Sequence, residues 1–488
     1  MKYHIWTIGC QMNTADSQRL GSELERLGLA WSERAEDADV VVLNTCVVRQ
    51  QAEDKIYGRL GSLRALKAAR PDLLIGLMGC LVGARPSKDL VRRFPEVDVF
   101  IPPSETTPLT DLVRARALDA AARQLEAGTL AARWTVQDEG PDLALAPAGD
   151  GLPSPAPERD AHASGILAAG GITLPRHERG SLISAHVPVI HGCSWVCTFC
   201  IIPSRRGPER SRTDGEIEAH VRSLVEQGVR EVTLLGQIVD RYGHDRGEAD
   251  ALPRLLRKLD AIAGLERLRF LTSPPKFMTD ALLDAVAELP KVMEHIEVPI
   301  QAGDDAVLLR MKRGYTADDY RRLVERIRAR IPGAAIHTDI IVGFPGETEA
   351  QFQATYDILS ELRLDKSHIA KFSSRPGTVA AKTMADDVSD DEKERRRAAL
   401  DALQGRVCAD INARHLGRTV EVLVEGRQND RWRARTRANK LVYFEDPRPL
   451  LGRLVDVEIG WTGPWSMIGR AADAPAARAK EVIALALA

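Results

Sequence analysis

Short apolar runs alternate with amphipathic stretches over the first hundred residues of the chain. Helical periodicity begins at Thr14 and again at Gln51. The runs that predict strands occupy residues 4–9, 40–43, 73–78 and 97–101. Such alternation is typical of a parallel sheet wrapped by helices, and it predicts an N-terminal α/β domain over residues 1–103.

The same alternation returns in the middle of the chain. Six more apolar runs predict strands at residues 186–190, 231–235, 267–272, 295–300, 335–342 and 368–372. Six strand–helix units predict a partial (β/α)6 barrel, in which the chemistry belongs at the C-terminal ends of the strands. This domain is expected over residues 181–413, with a charged connecting helix at 391–413.

Between these two domains the periodicity breaks down. Residues 104–180 begin with a helical stretch at 111–132, which is followed by five prolines and two glycines within residues 141–157. That composition predicts an insertion that acts as a linker or a mobile loop.

Near the C-terminus the pattern changes to short β-like runs. These runs lie at 420–424, 441–444 and 455–459 and are separated by turns. They predict a small β-barrel of about five strands over residues 414–475. We therefore expect an α/β chain with a parallel-sheet domain, a central partial barrel and a small C-terminal β-barrel.

Composition narrows the classes of protein that fit. The 488 residues include 67 Lys and Arg against 69 Asp and Glu, so a net charge of −2 leaves no global field to hold nucleic acid. The N-terminus has no signal-peptide pattern, and no apolar window approaches the roughly 20 residues that cross a bilayer. We expect a cytoplasmic, reducing setting with no membrane partner, in which the cysteines serve metal binding or catalysis rather than disulfides.

Three cysteines form a C-x3-C-x2-C motif directly after the first barrel strand. Cys193, Cys197 and Cys200 can hold three irons of a 4Fe–4S cluster and leave the fourth iron open to a ligand. A structural zinc site is the alternative, with His191 as the candidate fourth ligand. A chance cluster of buried thiols is a second alternative.

Three other cysteines each follow a predicted strand of the N-terminal domain. Cys10, Cys46 and Cys80 are far apart in sequence, but the ends of parallel strands share one edge of a sheet. Their thiols are therefore expected to converge on a second open cluster, although buried cysteines at strand ends are also common core residues. Cys408, inside the connecting helix, is expected to be a free structural thiol.

A basic stripe is predicted on one strand of the C-terminal barrel. Its cationic residues are Arg431, Arg433, Arg435, Arg437 and Lys440. The four arginines alternate with smaller or apolar residues, which places them on one face of a strand and predicts a local phosphate-binding surface for RNA. The alternative is a solvated edge strand that its charges protect from aggregation. A second basic group, Arg205, Arg206, Arg210 and Arg212, either contacts substrate or forms salt bridges.

Together these motifs resemble the radical S-adenosylmethionine methylthiotransferases, and most closely their tRNA-modifying branch. The segments that carry the resemblance are TIGCQMN at 7–13, LNTC at 43–46, KIYGRL at 55–60, MGC at 78–80, CSWVCTFC at 193–200, MKRGY at 311–315, IVGFPGET at 341–348 and RPGT at 375–378. The likeness covers nearly the whole chain except about residues 104–180. It also implies that the C-terminal barrel is a TRAM domain.

The resemblance implies two 4Fe–4S clusters and S-adenosylmethionine as cofactors. Cys193, Cys197 and Cys200 would hold the cluster that binds and reductively cleaves S-adenosylmethionine, which yields a 5′-deoxyadenosyl radical. The N-terminal trio would hold the second cluster, which supplies sulfur. The other cofactor contacts that the resemblance implies are Phe199, Gly236, Gln237, Ser273, Gln301, Arg313, Asp339 and Gly343. Turns, caps or core packing are the alternative roles for these residues. Ile238 stands where the family commonly has an asparagine.

The implied reaction is insertion of a methylthio group at C2 of N6-isopentenyladenosine next to the anticodon of tRNA. Within the same chemistry, the alternatives are N6-threonylcarbamoyladenosine in tRNA and an aspartate of a ribosomal protein. From a different class, the chain could be an iron–sulfur RNA-binding protein that senses oxidation. We expect a monomer whose partners are tRNA, an electron donor and a sulfur donor, and the sequence does not identify either donor.

Overall fold

A computed structural model describes residues 1–47, 50–126, 174–271 and 273–472. The chain forms a parallel sheet, a partial barrel and a closed barrel, in that order. This confirms the predicted fold class. The proline-rich stretch at 141–157 and the end of the helix predicted at 111–132 lie outside the described residues.

The N-terminal unit is a five-stranded parallel sheet in the order β2-β1-β3-β4-β5. Its strands are β1 (Lys2–Thr7), β2 (Ala30–Trp31), β3 (Val40–Thr45), β4 (Leu74–Gly79) and β5 (Val99–Ile101). Its helices are α1 (Gln11–Arg26), α2 (Gln50–Ala69), α3 (Lys88–Arg93) and α4 (Thr107–Glu126). Every residue of β3 and β4 is buried, because helices cover both faces of the sheet. The predicted strand at 4–9 is wrong by two residues, since Cys10 already serves as the N-cap of α1.

The central unit holds six parallel strands. These are β6 (Ser184–Pro188), β9 (Glu231–Leu235), β10 (Arg267–Phe270), β11 (His295–Glu297), β12 (Ala335–Val342) and β13 (Lys366–Lys371), and a short antiparallel hairpin of β7 (Ile190–His191) and β8 (Arg210–Ser211) follows β6. They form two three-stranded sheets, joined by a parallel bridge between Leu268 and Val292. The predicted partial barrel is confirmed, but the strand expected at 186–190 is wrong at its end, because Ile190 turns away to pair with Ser211.

Helices cover the outside of the partial barrel. They are α5 (Ile202–Arg206), α6 (Asp214–Glu226), α7 (Ala251–Asp260), α8 (Asp280–Glu288), α9 (Asp305–Arg310), α10 (Ala317–Arg330), α11 (Glu349–Leu362), α12 (Val379–Thr383) and α13 (Asp390–Ala413). Thr213, Thr316 and Thr348 begin α6, α10 and α11 with reciprocal capping boxes, which define where each strand-to-helix loop ends. Cys408 is free and buried on α13, as predicted, and its thiol donates to the Asp365 carbonyl.

The C-terminal unit is a closed five-stranded barrel. Its strands are β14 (Thr419–Gln428), β15 (Arg431–Thr436), β16 (Leu441–Glu445), β17 (Leu454–Thr462) and β18 (Met467–Ala471). Because β15 pairs with both β14 and β16, the alternative of an exposed edge strand is wrong.

Two buried arginines dock this closed barrel onto the partial barrel. Arg269 donates to the carbonyls of Thr436 and Arg437 at 3.0 and 2.8 Å, and Arg267 donates to Glu421 at 2.9 Å. Arg267 is the first residue of β10, and the closed barrel also pairs with Glu294 and Asp365, which directly precede β11 and β13. The closed barrel therefore covers the end of the partial barrel opposite the C-terminal strand ends. None of the helices within the described ranges has the length and hydropathy needed to cross a bilayer.

Candidate functional site

The three N-terminal cysteines follow three adjacent strands. Cys46 comes directly after β3, Cys80 directly after β4, and Cys10 three residues after β1. Thr45 pairs in register with Gly79, and Thr7 pairs with Asn44. The three cysteines therefore lie at one edge of the sheet. That they hold metal stays a prediction.

Two glycines allow neighbouring loops to pack closely against one another at this edge of the sheet. A Cβ on Gly9, at φ +141°, would lie 2.9 Å from the Cβ of Cys46, and one on Gly79, at φ +100°, would lie 2.4 Å from the Thr45 carbonyl oxygen. Buried Asn13 ties the same loops together by donating to the carbonyls of Ile8 and Thr45 at 3.1 and 2.9 Å.

The second set of cysteines lies on the loop between β7 and α5. Gly192, at φ +72°, begins this loop, and a Cβ there would lie 2.0 Å from the Pro208 carbonyl oxygen. Thr198 pins the loop to the end of α9, since its hydroxyl donates to the Arg310 carbonyl at 2.9 Å and its amide donates to that of Met311 at 3.2 Å. The loop is held from both sides at the mouth of the partial barrel.

A buried arginine contacts a cysteine sulfur in each set. The Nε of Arg206 donates to the Sγ of Cys80 at 3.3 Å, and an Nη of Arg313 donates to the Sγ of Cys197 at 3.1 Å. Arg313 is held by Tyr315, whose hydroxyl accepts from its Nε at 2.8 Å. Each guanidinium would stabilise a thiolate on the sulfur that it contacts.

Burial favours the protonated form of Cys80, Cys193 and Cys200 when no cation is bound. It raises the pKa of Cys80 and of Cys193 to about 11, and that of Cys200 to about 12. A thiolate forms there only if positive charge compensates for lost hydration, which metal ions do. Three thiols and one arginine at each site therefore fit a cluster that needs three thiolate ligands.

Cysteines of both sets lie in one apolar core at the boundary between the first two units. In this core, Ile201 of the cysteine-bearing loop and Ile202 of α5 pack with Leu81 and Val82 of the N-terminal unit. Ile238 is buried in the same core, which explains why an apolar residue fits at that position.

The geometry does not suit the zinc alternative. Across the described residues, no three His, Cys, Asp or Glu side chains are arranged to hold a single metal ion. His191, the candidate fourth ligand, therefore completes no tetrahedral set with the neighbouring cysteines. An iron–sulfur cube, with a separate iron for each cysteine, spreads its thiolates more widely than one zinc ion does.

Polar groups line the adjacent ends of β10, β11 and β12. The Ser273 hydroxyl and the side-chain Oε1 of Gln301 are buried without a hydrogen-bond partner within the described residues. Gln301 adopts φ +75°, a strained backbone for a residue with a side chain. Burial, and then the charge of Asp339, raise the pKa of Glu297 to about 7. These groups can form hydrogen bonds to a ligand.

Several other predicted cofactor contacts pack closely against neighbouring residues. Phe199 packs edge-on against Phe344 at 6.5 Å. A Cβ on Gly236 would lie 2.4 Å from Ile190, and one on Gly343 would lie 2.2 Å from Lys393, so both glycines permit close packing. Gln237 is half-buried just beyond β9.

The basic stripe divides into two parts. Trp432 and Ala434 are buried while Arg431 and Arg433 are exposed, so the predicted alternation is confirmed. Lys440 pairs with Asp365 of the partial barrel at 2.8 Å. Arg437 pairs with Glu294 of the same unit at 2.7 Å, which favours a docking role over an RNA-binding one for these two cations. Arg435 and Arg433 lie 3.3 and 3.7 Å from Glu425.

Two of the four arginines that follow the cysteine triplet form hydrogen bonds within the protein. Arg206 contacts Cys80, and Arg212 donates to the Pro188 carbonyl at 2.7 Å. Arg210 is exposed at the start of β8. The predicted alternatives were contact with substrate or salt bridges within the protein. Arg206 and Arg212 fit the second alternative better, because both bond to other parts of the chain.

Known domain families match each of the three units. The radical SAM superfamily matches residues 187–359, and the TRAM domain matches residues 413–472. Residues 2–102 match the uncharacterized protein family UPF0004. From the N-terminus, the chain thus matches UPF0004, the radical SAM superfamily and the TRAM domain in that order.

Full-length relatives decide the family. The tRNA-2-methylthio-N(6)-dimethylallyladenosine synthase of Roseiflexus sp. (strain RS-1) is 45% identical over 471 residues, covering 96% of this chain and 89% of the relative. The enzyme of the same name from Chloroflexus aurantiacus is 43% identical over 472 residues, covering 96% and 91%. The chain belongs to the radical S-adenosylmethionine methylthiotransferase family. The methylthiotransferase thus has the domain order that the sequence motifs implied.

A solved structure supports the fold of the methylthiotransferase. The radical S-adenosylmethionine methyltransferase TsrM from Kitasatospora setae aligns with a TM-score of 0.51 at 17% identity, covering 78% of this chain and 74% of that one. At that identity the likeness concerns the fold alone.

Sequence reasoning missed three residues of the methylthiotransferase site. Asn13 and Glu297 were not predicted, and Arg206 was predicted only as a substrate contact or a salt-bridge former. Arg206 and Cys80 are 126 positions apart, so no local periodicity indicates their contact. The signal that was available is the unusual density of arginines directly after the cysteine triplet.

Proposed function

We propose that this methylthiotransferase inserts a methylthio group at C2 of N6-isopentenyladenosine next to the anticodon of tRNA. The observation that carries the proposal is the presence of two cysteine trios on either side of one boundary between units, linked by Arg206. The names of the relatives from Roseiflexus and Chloroflexus, which are 45% and 43% identical, specify the same product.

The two trios would take different clusters. Cys193, Cys197 and Cys200 would hold the 4Fe–4S cluster that binds S-adenosylmethionine, and the N-terminal trio, Cys10, Cys46 and Cys80, would hold the second. When bound, these groups supply a carbon-centred radical at the target base and the sulfur that replaces its hydrogen. An electron donor and a sulfur donor, both unidentified, complete the partners.

The first task of the chain itself is to release protons from its thiols. Because burial raises the pKa of Cys80, Cys193 and Cys200, each must lose a proton as iron binds, and loading should become easier as the pH rises. Arg206 and Arg313 then donate to the thiolates of Cys80 and Cys197, which orients these two ligands.

The second task is to bind and orient the cofactor at the strand ends. The Ser273 hydroxyl and the Gln301 Oε1, which have no partner among the described residues, suit hydroxyl or amino groups of S-adenosylmethionine. Gly236, Gln237 and Asp339 stay proposed contacts, as do Phe199 and Gly343. The apolar core between the two units, which contains Leu81, Ile201 and Ile238, excludes water from the space beside the clusters.

The third task is to hold tRNA. Arg431 and Arg433 are the exposed members of the basic stripe, and we propose that they contact phosphates of tRNA. Arg437 and Lys440 would contribute mainly by keeping the closed barrel in place, since each pairs with a carboxylate of the partial barrel. Arg435 is less exposed than Arg431 and Arg433 and pairs with Glu425 of the closed barrel itself.

Mass spectrometry of tRNA nucleosides tests the reaction. Deleting the gene should remove 2-methylthio-N6-isopentenyladenosine, and the wild-type gene should restore it. Unchanged levels would refute the proposal, and selective loss of the methylthio derivative of N6-threonylcarbamoyladenosine would support the alternative substrate.

Cysteine variants separate the roles of the two trios. Replacing Cys193, Cys197 and Cys200 with alanine should abolish 5′-deoxyadenosine formation under anaerobic reduction. Replacing Cys10, Cys46 and Cys80 should spare some of that cleavage but stop sulfur insertion. A wild-type protein that forms no 5′-deoxyadenosine would point to the redox-sensing alternative, and normal insertion by the N-terminal variant would exclude a sulfur-donating role for that trio.

A further inference from the structure

Arg206 follows one cysteine set in sequence and contacts the other set in space. It is the last residue of α5, six positions after Cys200 in the partial barrel, yet its guanidinium reaches into the N-terminal unit. There its Nε donates to the Sγ of Cys80 at 3.3 Å, and one Nη donates to the Oδ1 of Asn13 at 3.0 Å. The other Nη donates to the hydroxyl of Ser104 at 3.2 Å. All three nitrogens are therefore used within the N-terminal unit.

This contact is buried and charged. The Arg206 side chain is only 3% exposed, and its single carboxylate neighbour within 4 Å in the described structure is Asp16, at 3.5 Å and 4% exposed. A buried guanidinium is costly unless negative charge compensates for it. Asp16 supplies one negative charge, and a cluster with several thiolate ligands would supply more.

The neighbours of Arg206 are the groups that shape the N-terminal site. Asn13, which accepts from Arg206, also donates to the carbonyls of Ile8 and Thr45 on the loops that carry Cys10 and Cys46. One guanidinium thus contacts the third cysteine directly and the loops of the other two through Asn13. Such fixed, branched donation is characteristic of arginine and is not available to lysine.

We propose that Arg206 is a positioning residue for the second cluster, so that this cluster is held firmly only when the partial barrel is docked on the N-terminal unit. This proposal rests on the proposed function. It makes the sulfur-donating cluster depend on the docked partial barrel, the domain that makes the radical. Hydrogen bonds to cluster sulfurs and nearby charge set the reduction potential of iron–sulfur clusters, so Arg206 should also raise that potential.

Arg313 provides the internal comparison. It makes the same kind of contact, 3.1 Å from the Sγ of Cys197, but both partners belong to the partial barrel. If the arginines act locally, each should affect only the cluster whose cysteine it contacts. Substitution of Arg206 should then change the N-terminal cluster even in a chain that lacks the radical-forming cluster.

The experiment uses the full-length chain with Cys193, Cys197 and Cys200 replaced by alanine, so that only the N-terminal trio can bind iron. Arg206→Met and Arg206→Lys are added to this parent, and Arg222→Ala, which removes an exposed ion pair on α6, is the matched control. After anaerobic loading with iron and sulfide, we measure iron per chain, the rate of iron loss to a chelator, and the midpoint potential by EPR. Circular dichroism reports whether each variant is folded.

We expect Arg206→Met to lose iron about tenfold faster than the parent and to have a more negative midpoint potential, as removal of a hydrogen bond to a charged group implies. Arg206→Lys should lie between the two, because it keeps the charge but not the branched donation, and Arg222→Ala should match the parent. A folded Arg206→Met variant with the iron retention and potential of the parent would overturn the proposal. If that variant does not fold, Arg206→Lys decides: faster iron loss supports the proposal and unchanged loss overturns it.

The same measurements separate this inference from the proposed function. A parent that binds no iron, although folded and carrying Arg206, would refute the second cluster itself and the inference with it. A parent that binds about four irons but is insensitive to Arg206→Met would refute only the positioning role.

Discussion

The carboxyl group of Glu297 should make the stability of the partial barrel depend on pH, and Glu297→Gln should remove that dependence. Glu297 ends β11 in register with His337, and Asp339 lies two residues further along the same face of β12. Burial, with the nearby charge of Asp339, disfavours the ionised form of Glu297. Glutamine keeps the size and a hydrogen-bond donor but cannot ionise.

The magnitude follows from the pKa. Raising it from 4.5 to about 7 corresponds to about 3 kcal/mol, at about 1.4 kcal/mol for each tenfold change in the proton equilibrium. Below pH 4.5 the folded and unfolded chains both carry the proton, and the stability is fully present. As the pH rises from 4.5 through 7 the unfolded chain ionises first, so this stability is lost. Relative to the wild type, Glu297→Gln should therefore gain about 2.5 kcal/mol between pH 5 and pH 8, because part of the loss has already occurred at pH 5.

Hydrogen–deuterium exchange measured by mass spectrometry is the suitable assay, because a chain of three units does not unfold in a single two-state step. The peptide that spans 295–301 reports the local opening free energy after correction for the intrinsic pH dependence of exchange. Glu294→Gln is the control, since the pKa of Glu294 is lowered: burial opposes ionisation, but hydrogen bonds from Arg437 outweigh it. That control should be destabilised about equally at pH 5 and pH 8.

The result that would refute this reasoning is a Glu297→Gln variant whose opening free energy differs from the wild type by the same amount at both pH values. Glu297 would then ionise normally, and the strand ends would be better solvated than the structure indicates.

Three further predictions follow from the contacts described above. The double variant Arg431→Ala, Arg433→Ala should bind tRNA more weakly than the wild type. In filter-binding assays, the slope of log affinity against log salt concentration should become about 1 to 2 less steep. An unchanged slope would contradict the proposed phosphate contacts. Arg269→Met should cost about 3 kcal/mol or more, because it leaves the buried Glu231 without its ion-pair partner. Limited proteolysis should then release the closed barrel, and resistance equal to that of the wild type would argue against this docking role. Gly192→Ala should lower the iron content from about eight to about four atoms per chain, because the alanine Cβ would clash with the Pro208 carbonyl oxygen. An iron content equal to that of the wild type would show that the cluster loop tolerates this clash.

The placement of the cysteines could be read from the sequence because it depends on local patterns. Apolar runs located β3 and β4, and parallel strands end at a shared edge, so Cys46 and Cys80 had to lie near one another. The same reasoning misplaced β1 by two residues, because no apolar period shows that Cys10 caps a helix.

The roles of the arginines could not be read in the same way. Alternation correctly placed Arg431 and Arg433 on the outer face of β15, but the partners of Arg437 and Lys440 lie 143 and 75 positions away. Whether a cation binds RNA or a neighbouring domain depends on which carboxylates the fold brings beside it.

By itself, the amino-acid sequence determined the order of the three units, the strand ends that carry the cysteines and the family to which the chain belongs. These properties follow from periodicity and from short motifs, which act over a few residues. Only the tertiary structure decided that Arg206 reaches Cys80, that Glu297 lies beside Asp339, and that part of the basic stripe docks a barrel. Electrostatic interactions and burial depend on distances in space between residues remote in sequence, and chain folding alone sets those distances.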